Sequence, residues 1–450
     1  MSAIPTSQQL GEWLADHKGE LAAAGLAVIS KDGHIEKATI GFYDAVEGEA
    51  VTSNTPFMLG SICKVLTATL VCQLVEEGKI SLDDPIAKWL PETGQLYSKS
   101  RCTASIRQIL GHSGGLVDLV EPVENLDDLV AKLVNQGLLA EPGEIVSYSN
   151  AGYMLLGALL KRVTGCDWET LVQSNVLDLL QSPVVNVVLD VSKRPSGGRL
   201  RDPLRAEDPP IAEDHIPGLN GTFTRQMMWP RWPGLFAATG TVTAASITDS
   251  VTLLGSLLWG DLLPPSSRRE MQSVEYRLPG PSLWCEGWGL GWSVIDSSRG
   301  LVGHMGGTST FMLGSVEMGK AVVFLSNTAN GALVGRKLAC RALGIDSARI
   351  PEVVTSSSSD LIPGSHLCGR YGTPAFFVEI SVSIDDPGRV LAKSNLDSGD
   401  PTAIEKLSGS TFTGRLMSLP TEFTFVPNTE GTDFQYLHVG FRALVKILRS

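Results

Sequence analysis

Gly60-Ser61-Ile62-Cys63-Lys64 opens the stretch on which the reading of this chain turns, and Val65-Leu66-Thr67-Ala68-Thr69-Leu70-Val71-Cys72-Gln73-Leu74 carries it on towards Gly78. Apolar residues at 65, 66, 70, 71 and 74 recur at helical spacing, and Gly78 supplies a stop. The spacing predicts a helix over 61–77 that is apolar over much of its surface and therefore buried. Ser61 would open that helix. Lys64 would stand one turn later on the same face, so the two heads can meet. The positive helix end and burial both disfavour an ammonium there. A neutral lysine can take the serine proton and turn a weak hydroxyl into a nucleophile. Lys64 is the only lysine in the chain with a serine three places before it. The four-residue pattern is weakly specific by itself, and a capping serine beside a solvated lysine is the ordinary alternative.

Two further clusters lie outward from it. Tyr148-Ser149-Asn150 follows Pro142-Gly143-Glu144, and no other tyrosine has an asparagine two places on. In an extended segment residues i and i+2 point the same way, so Tyr148 and Asn150 would project into one cleft. A tyrosine of lowered pKa beside a lysine can serve as general base and later as general acid. The Asn amide can hold the lysine head and a substrate amide. The alternative is a tyrosine packed on a helix cap made by Asn150. In Gly303-His304-Met305-Gly306-Gly307-Thr308 the glycines let backbone approach a ligand closely, with His304 beside it. A backbone N–H there, paired with that of Ser61, would make an oxyanion hole. Otherwise it is a glycine-rich hairpin with a surface histidine.

In the order Ser-x-x-Lys, Tyr-x-Asn, His-x-Gly, the three clusters resemble the serine β-lactamase and penicillin-binding-protein superfamily. The stretches 80–90 (ISLDDPIAKWL), 109–116 (ILGHSGGL) and 238–249 (ATGTVTAASITD) look like further segments of that family, and the resemblance runs over about 25–343. It implies an α+β fold, a mixed sheet flanked by helices with an all-helical subdomain. It implies Ser61 as acyl-forming nucleophile, Lys64 as its base, Tyr148 as partner base or acid, and Asn150 as the group that orients Lys64 and substrate. His304 stands where the family often has lysine, and the backbones of Ser61 and Gly307 would form the oxyanion hole. The histidine departs from the Lys-Thr-Gly form. It puts β-lactam or D-Ala-D-Ala specificity in doubt and resembles the esterase, D-amino-acid peptidase and thioesterase branches.

The local patterns fit that outline. A helix is expected over 7–24, a hairpin over 25–42 around Asp32-Gly33, and helices over 106–110, 126–136 and 150–164. Strands are expected over 287–296, 301–303, 309–316 and 321–326, and a closing helix over 333–343. The Pro- and Gly-rich segment 182–233 reads equally as a lid or wall of a site and as a surface excursion. Thr355 to Asp360 (TSSSSD) is a polar linker. Beyond it, short strands over 376–384, 389–393, 411–416, 422–426, 435–439 and 443–448 predict a small antiparallel β-barrel. The expected organisation is thus 1–350 for acyl transfer, with a helical part at about 80–235, a linker at 351–360, and a barrel at 361–450.

Core plus a barrel of about ninety residues resembles the standalone penicillin-binding-type thioesterases, with a lipocalin-like C-terminal module. That resemblance implies release of a nonribosomal peptide from a carrier-protein thioester, usually by head-to-tail cyclisation, with hydrolysis as side reaction. A hydrolytic esterase, amidase or D-peptidase is the alternative, and an idle peptide-binding scaffold a further one. Gly306, Trp232, Trp288 and Arg442 are candidate substrate contacts. Trp229, Trp284 and Trp292 join them as pocket lining or as core, and Arg442 would hold a terminal carboxylate or stand solvated on a barrel strand.

Composition bounds the rest. The chain has 450 residues, 43% hydrophobic and 19% charged, a globular composition with room for two or three domains. Thirty-six Lys and Arg against 48 Asp and Glu give a net charge of −12, which argues against nucleic acid or an anionic membrane as partner. The seven cysteines form no CxxC pair and the seven histidines no HxH or HExxH, so neither a metal, a cofactor nor a disulfide framework is expected. Residues 1–20 lack the charged and apolar regions of a secretory signal, and no apolar run approaches a membrane span. A cytoplasmic monomer is expected.

Overall fold

The computed structural model of the chain describes residues 3–45, 48–180, 187–191, 211–217, 222–225, 232–282, 284–307, 309–329, 331–346, 364–373, 376–386, 388–396, 400–416 and 419–447. Its centre is an antiparallel sheet built on β1 (Ala23–Ser30) and β2 (Ile35–Gly41), the hairpin expected at Asp32-Gly33. The later strands are β3 (Tyr276–Arg277), β4 (Gly287–Trp288), β5 (Ser293–Asp296), β6 (Leu301–Gly306), β7 (Thr310–Ser315) and β8 (Lys320–Ser326). They complete the order β2-β1-β8-β7-β6-β5-β4-β3. In β1 and β8 nearly every residue is buried, because both faces are covered. Ala23, Ala27, Val323 and Leu325 face one core, and Leu26, Val28, Val322 and Phe324 the other. Register puts Leu26 opposite Phe324 and Val28 opposite Val322. Each such side chain contributes about 1.5–3 kcal/mol by burial.

Helices α1 (Ser7–Ala15) and α5 (Gly331–Leu343) pack into the core of Leu26 and Phe324. On the other face lie α2 (Lys64–Glu76) and α4 (Ile247–Trp259). Beyond α2 come the helices Ile86–Trp89, Ile106–Leu110, Leu126–Gln136, α3 (Asn150–Thr164) and Trp168–Asn175, the expected helical part. No helix among the described residues is long and apolar enough to cross a membrane. All seven cysteines are free.

The C-terminal strands are β9 (Gly369–Gly372), β10 (Phe377–Val382), β11 (Val390–Ser394), β12 (Thr402–Ser408), β13 (Thr411–Leu416), β14 (Leu419–Pro427), β15 (Phe434–Val439) and β16 (Arg442–Ile447). Each pairs with the next, and β9 pairs with β16 to close a barrel around Tyr371, Phe423, Phe425 and Leu437. The fold is therefore α+β: a helix-flanked sheet with helical additions, followed by a closed eight-stranded antiparallel barrel.

Several expectations change. The first helix stops at Ala15, because the chain turns at 16–20 and Ala23 and Ala24 already belong to the sheet. The alternating stretch 287–296 is a hairpin of β4 and β5, bent at Gly291 with φ +83°, a backbone that favours glycine. β6 runs three residues past the expected Gly303 and so includes His304. Two barrel strands lacked a readable signal. β9 is short and bracketed by glycines, and β12 buries only Ile404. The linker 351–360 and most of 182–233 lie outside the described residues, Trp229 among them.

Gly240 ties the helical part to the start of α2. It sits at φ +92° after the short helix Gly234–Thr239, where a Cβ would run into the Gly60 carbonyl and stand 2.8 Å from Cys63 Cβ. Gly240→Ala should therefore cost about 2–4 kcal/mol. Calorimetry would read this as a clear fall in melting temperature, and an unchanged melt would contradict the packing described.

Candidate active site

A short 3-10 turn, Gly60–Cys63, runs directly into α2 and carries Ser61 at its second position. Gly60 has φ +58°, and a Cβ on it would stand 3.0 Å from the Gly306 backbone and 3.2 Å from the Gly307 amide nitrogen. The end of β6 is therefore pressed against the serine turn, and the Gly307 N–H lies beside it. Gly306 serves that approach: a Cβ there would run into the Leu59 carbonyl and the Thr310 hydroxyl.

Lys64 is fully buried. Burial lowers its pKa from the ordinary lysine value to about 7, with Asp118 opposing and Arg442 assisting. Its Nζ donates to Asn150 Oδ1 at 2.8 Å and to the Thr239 carbonyl at 3.2 Å, and lies 3.1 Å from Ser61 Oγ. A neutral amine has two N–H bonds and one lone pair. Two fixed acceptors take the N–H bonds, so the lone pair is left for the serine hydroxyl.

Tyr148 is buried against the same group, with its ring centroid 5.0 Å from Lys64 Nζ and its hydroxyl hydrogen-bonded to Ser61. Burial raises its pKa above the usual tyrosine value in spite of that bond. The lowered pKa expected from the sequence is therefore reversed. The phenol keeps its proton, and the resting site presents an amine base beside a phenolic acid. Asn150 is the first residue of α3 rather than part of an extended segment, and the cap is Ser149, whose Oγ accepts from the Gly152 N–H at 3.2 Å. Tyr148 and Asn150 nevertheless converge on Lys64.

His304 packs 5.5 Å from the Trp288 ring and 6.3 Å from the Tyr148 ring. Its Nδ1 lies 2.7 Å from the Met305 carbonyl, so Nδ1 carries the proton. Burial and then the charge of Lys64 push its pKa down to about 3. It is a neutral imidazole and cannot supply the positive charge of the lysine often found at this place.

Three contributors escaped the sequence reading. His112, within the quoted 109–116 stretch, has φ +58° and clamps the tyrosine segment. Its carbonyl accepts from the Ser147 N–H at 2.8 Å and its Nδ1 from the Ser149 N–H at 3.2 Å. Asp118 receives the Asn150 backbone N–H at 2.8 Å and Nδ2–H at 3.1 Å. Phe441, in the turn between β15 and β16, accepts the Tyr148 N–H at its carbonyl (2.8 Å) and sets its ring 6.0 Å from Trp288. Only His112, inside the 109–116 stretch, and Asp118, two residues past it, could have drawn notice.

Of the candidate substrate contacts, Arg442 is not a free surface side chain. Its Nη2 and Nε donate to Asp118 Oδ2 at 2.6 and 2.7 Å, and its guanidinium stands 5.1 Å over the Tyr148 ring. Trp288 is a buried wall between His112, Tyr148 and His304. Trp232 packs at a tilt against Phe236, Trp284 lies near Phe441, and Trp292 belongs to the core.

A half-buried serine beside a buried lysine and a buried tyrosine defines a serine acyl-transfer or hydrolytic enzyme. The Beta-lactamase family model matches residues 12–342, and the chain belongs to that family. It is similar to Penicillin-binding protein 4 of Amycolatopsis lactamdurans, at 28% identity over 346 residues, covering 73% of this chain and 87% of that one. It is 25% identical over 357 residues to Esterase EstB of Burkholderia gladioli, covering 69% and 87%. Among solved structures, SurE matches with a TM-score of 0.77 at 27% identity over 98% of both chains. SurE with D-Leu matches at 0.73 and 26%, again over 98% of both.

Acylation of Ser61 by a chromogenic ester, read as the burst phase, should rise with pH through a midpoint near 7, because Lys64 must be neutral. A midpoint near the ordinary lysine value would contradict the buried-amine geometry. Lys64→Met should slow that burst by about a thousandfold or more.

Proposed function

We propose that this serine acyl-transfer enzyme releases a peptide from a thioester by head-to-tail macrocyclisation. Ser61 Oγ attacks the thioester carbonyl as Lys64 takes its proton, and Tyr148 returns a proton to the leaving thiolate. The Ser61 and Gly307 N–H groups hold the oxyanion. Asn150 keeps Lys64 in place. The N-terminal amine of the same peptide then attacks the acyl-serine, loses a proton to the Lys64–Tyr148 pair, and displaces Ser61, whose Oγ takes a proton back from that pair. His304 Nε2, a buried acceptor, suits an incoming amine N–H.

The observation that carries this reading is the barrel's share of the site. Phe441 roofs Tyr148 with an apolar ring, which favours amine attack over water. Arg442, the next barrel residue, sets its guanidinium over the Tyr148 ring and holds Asp118. The full-length likeness to SurE, solved also with D-Leu, supports an acyl residue of D configuration. In this reading 1–350 forms the acyl-transfer unit, with its helical part at about 80–235, and 351–360 links it to the barrel at 361–450. The substrate rides on a carrier protein in the cytoplasm, and the enzyme works as a monomer. Hydrolysis is the second reading, supported by the likeness to Esterase EstB.

Product analysis with peptide thioesters ending in a D- or an L-residue tests the choice. Cyclic product from the D series is expected, with little from the L series. Linear acid from every substrate would establish the hydrolase instead. Ser61→Ala should abolish both products.

A further inference from the structure

Arg442 belongs to the barrel and Lys64 to the helix of the nucleophile, yet an unbroken chain of hydrogen bonds joins them. Arg442 Nε and Nη2 converge on Asp118 Oδ2 at 2.7 and 2.6 Å. The other oxygen, Oδ1, takes the Asn150 Nδ2–H at 3.1 Å and its backbone N–H at 2.8 Å. Asn150 Oδ1, the far end of the same amide, accepts from Lys64 Nζ at 2.8 Å. The amide can satisfy both neighbours in one orientation only, because a flip would set N–H against N–H and oxygen against carboxylate. Asp118 thus decides which atom Asn150 offers to Lys64, and Arg442 decides where Asp118 stands.

We infer that Asp118 is a positioning residue through which the barrel, by way of Arg442, holds Asn150 and Lys64 in their working geometry. This rests on the acyl-transfer reading of Ser61 and Lys64. The groups facing Lys64 are Ser61 and Cys63 from its own turn, Tyr148, Asn150 and Tyr153 around the start of α3, and His112, His304, Asp118 and Arg442. Burial keeps both histidines neutral, Cys63 protonated and Tyr148 a phenol, so Asp118 and Arg442 supply the charge. Their effects on Lys64 oppose one another: Asp118 favours the ammonium and Arg442 the free amine.

Opposite signs give a test that structural damage does not imitate. The burst acylation of Ser61 by a chromogenic ester is followed from pH 5 to 10 in the full chain, with melts run alongside. Asp118→Asn removes the charge that favours the ammonium, so the acidic limb should move down by about one pH unit. Arg442→Gln should move it up by a similar amount, and the double variant should return towards the parent. Arg442→Lys keeps the charge but loses the two-pronged contact, so its midpoint should stay near the parent while its plateau falls. Should Asp118→Asn not fold, the contrast of Arg442→Gln with Arg442→Lys carries the same comparison. Midpoints that stay fixed, or move in one direction in both single variants, would overturn the inference. A parent chain that never acylates Ser61 would overturn the acyl-transfer reading itself, which separates the two failures.

Discussion

The interaction on which the rest depends is the enclosure of one lysine amine. Taking Lys64 wholly out of water disfavours its charge, and the carbonyl of Thr239 and the amide oxygen of Asn150 absorb the two N–H bonds that a neutral amine keeps. Everything nearby serves that enclosure. The near-continuous apolar surface of α2 buries the lysine stem. Gly240 lets the Thr239 segment approach Gly60, and Gly60 and Gly306 let β6 close against the serine turn. A single unpaired N–H in this enclosure would cost about 1–3 kcal/mol, and its two acceptors are a backbone carbonyl and an amide fixed at a helix start.

The same logic explains the tyrosine. A buried phenol beside a buried amine shares out the protons of the pair without forming separated charges. Neither group then needs water to be stabilised. His112, Trp288 and Phe441 surround Tyr148 with rings and fix its backbone from two directions, one of them the barrel.

The centre of this arrangement was legible in the sequence because it is local. Ser61 and Lys64 share one turn, Tyr148 and Asn150 lie two apart, and β6 announces itself through glycines whose only steric reason is close approach. The helices over 106–110, 126–136 and 150–164 came out at their expected bounds, since capping residues and glycine stops mark both ends. What stayed hidden is long-range. Asp118 carries no local pattern, and its role exists only because Arg442 meets it from 324 residues away. The state of Tyr148 was misread for a related reason. Its pKa depends on burial by Trp288 and Phe441, which sequence neighbours do not reveal. β12 went unseen because a strand half-buried along most of its length loses the alternation by which strands are recognised.

The backbone bond from the Tyr148 N–H to the Phe441 carbonyl has a consequence in time. Chains are made from the N-terminus at about 5–20 residues per second, and domains fold as they emerge. The 324 residues between Asp118 and Arg442 therefore separate the birth of the two partners by roughly 15–65 s of synthesis. During that interval Ser61 and Lys64 exist, but the wall that completes their surroundings has not been made. The centre is thus finished only once the strand that carries Arg442 has been made.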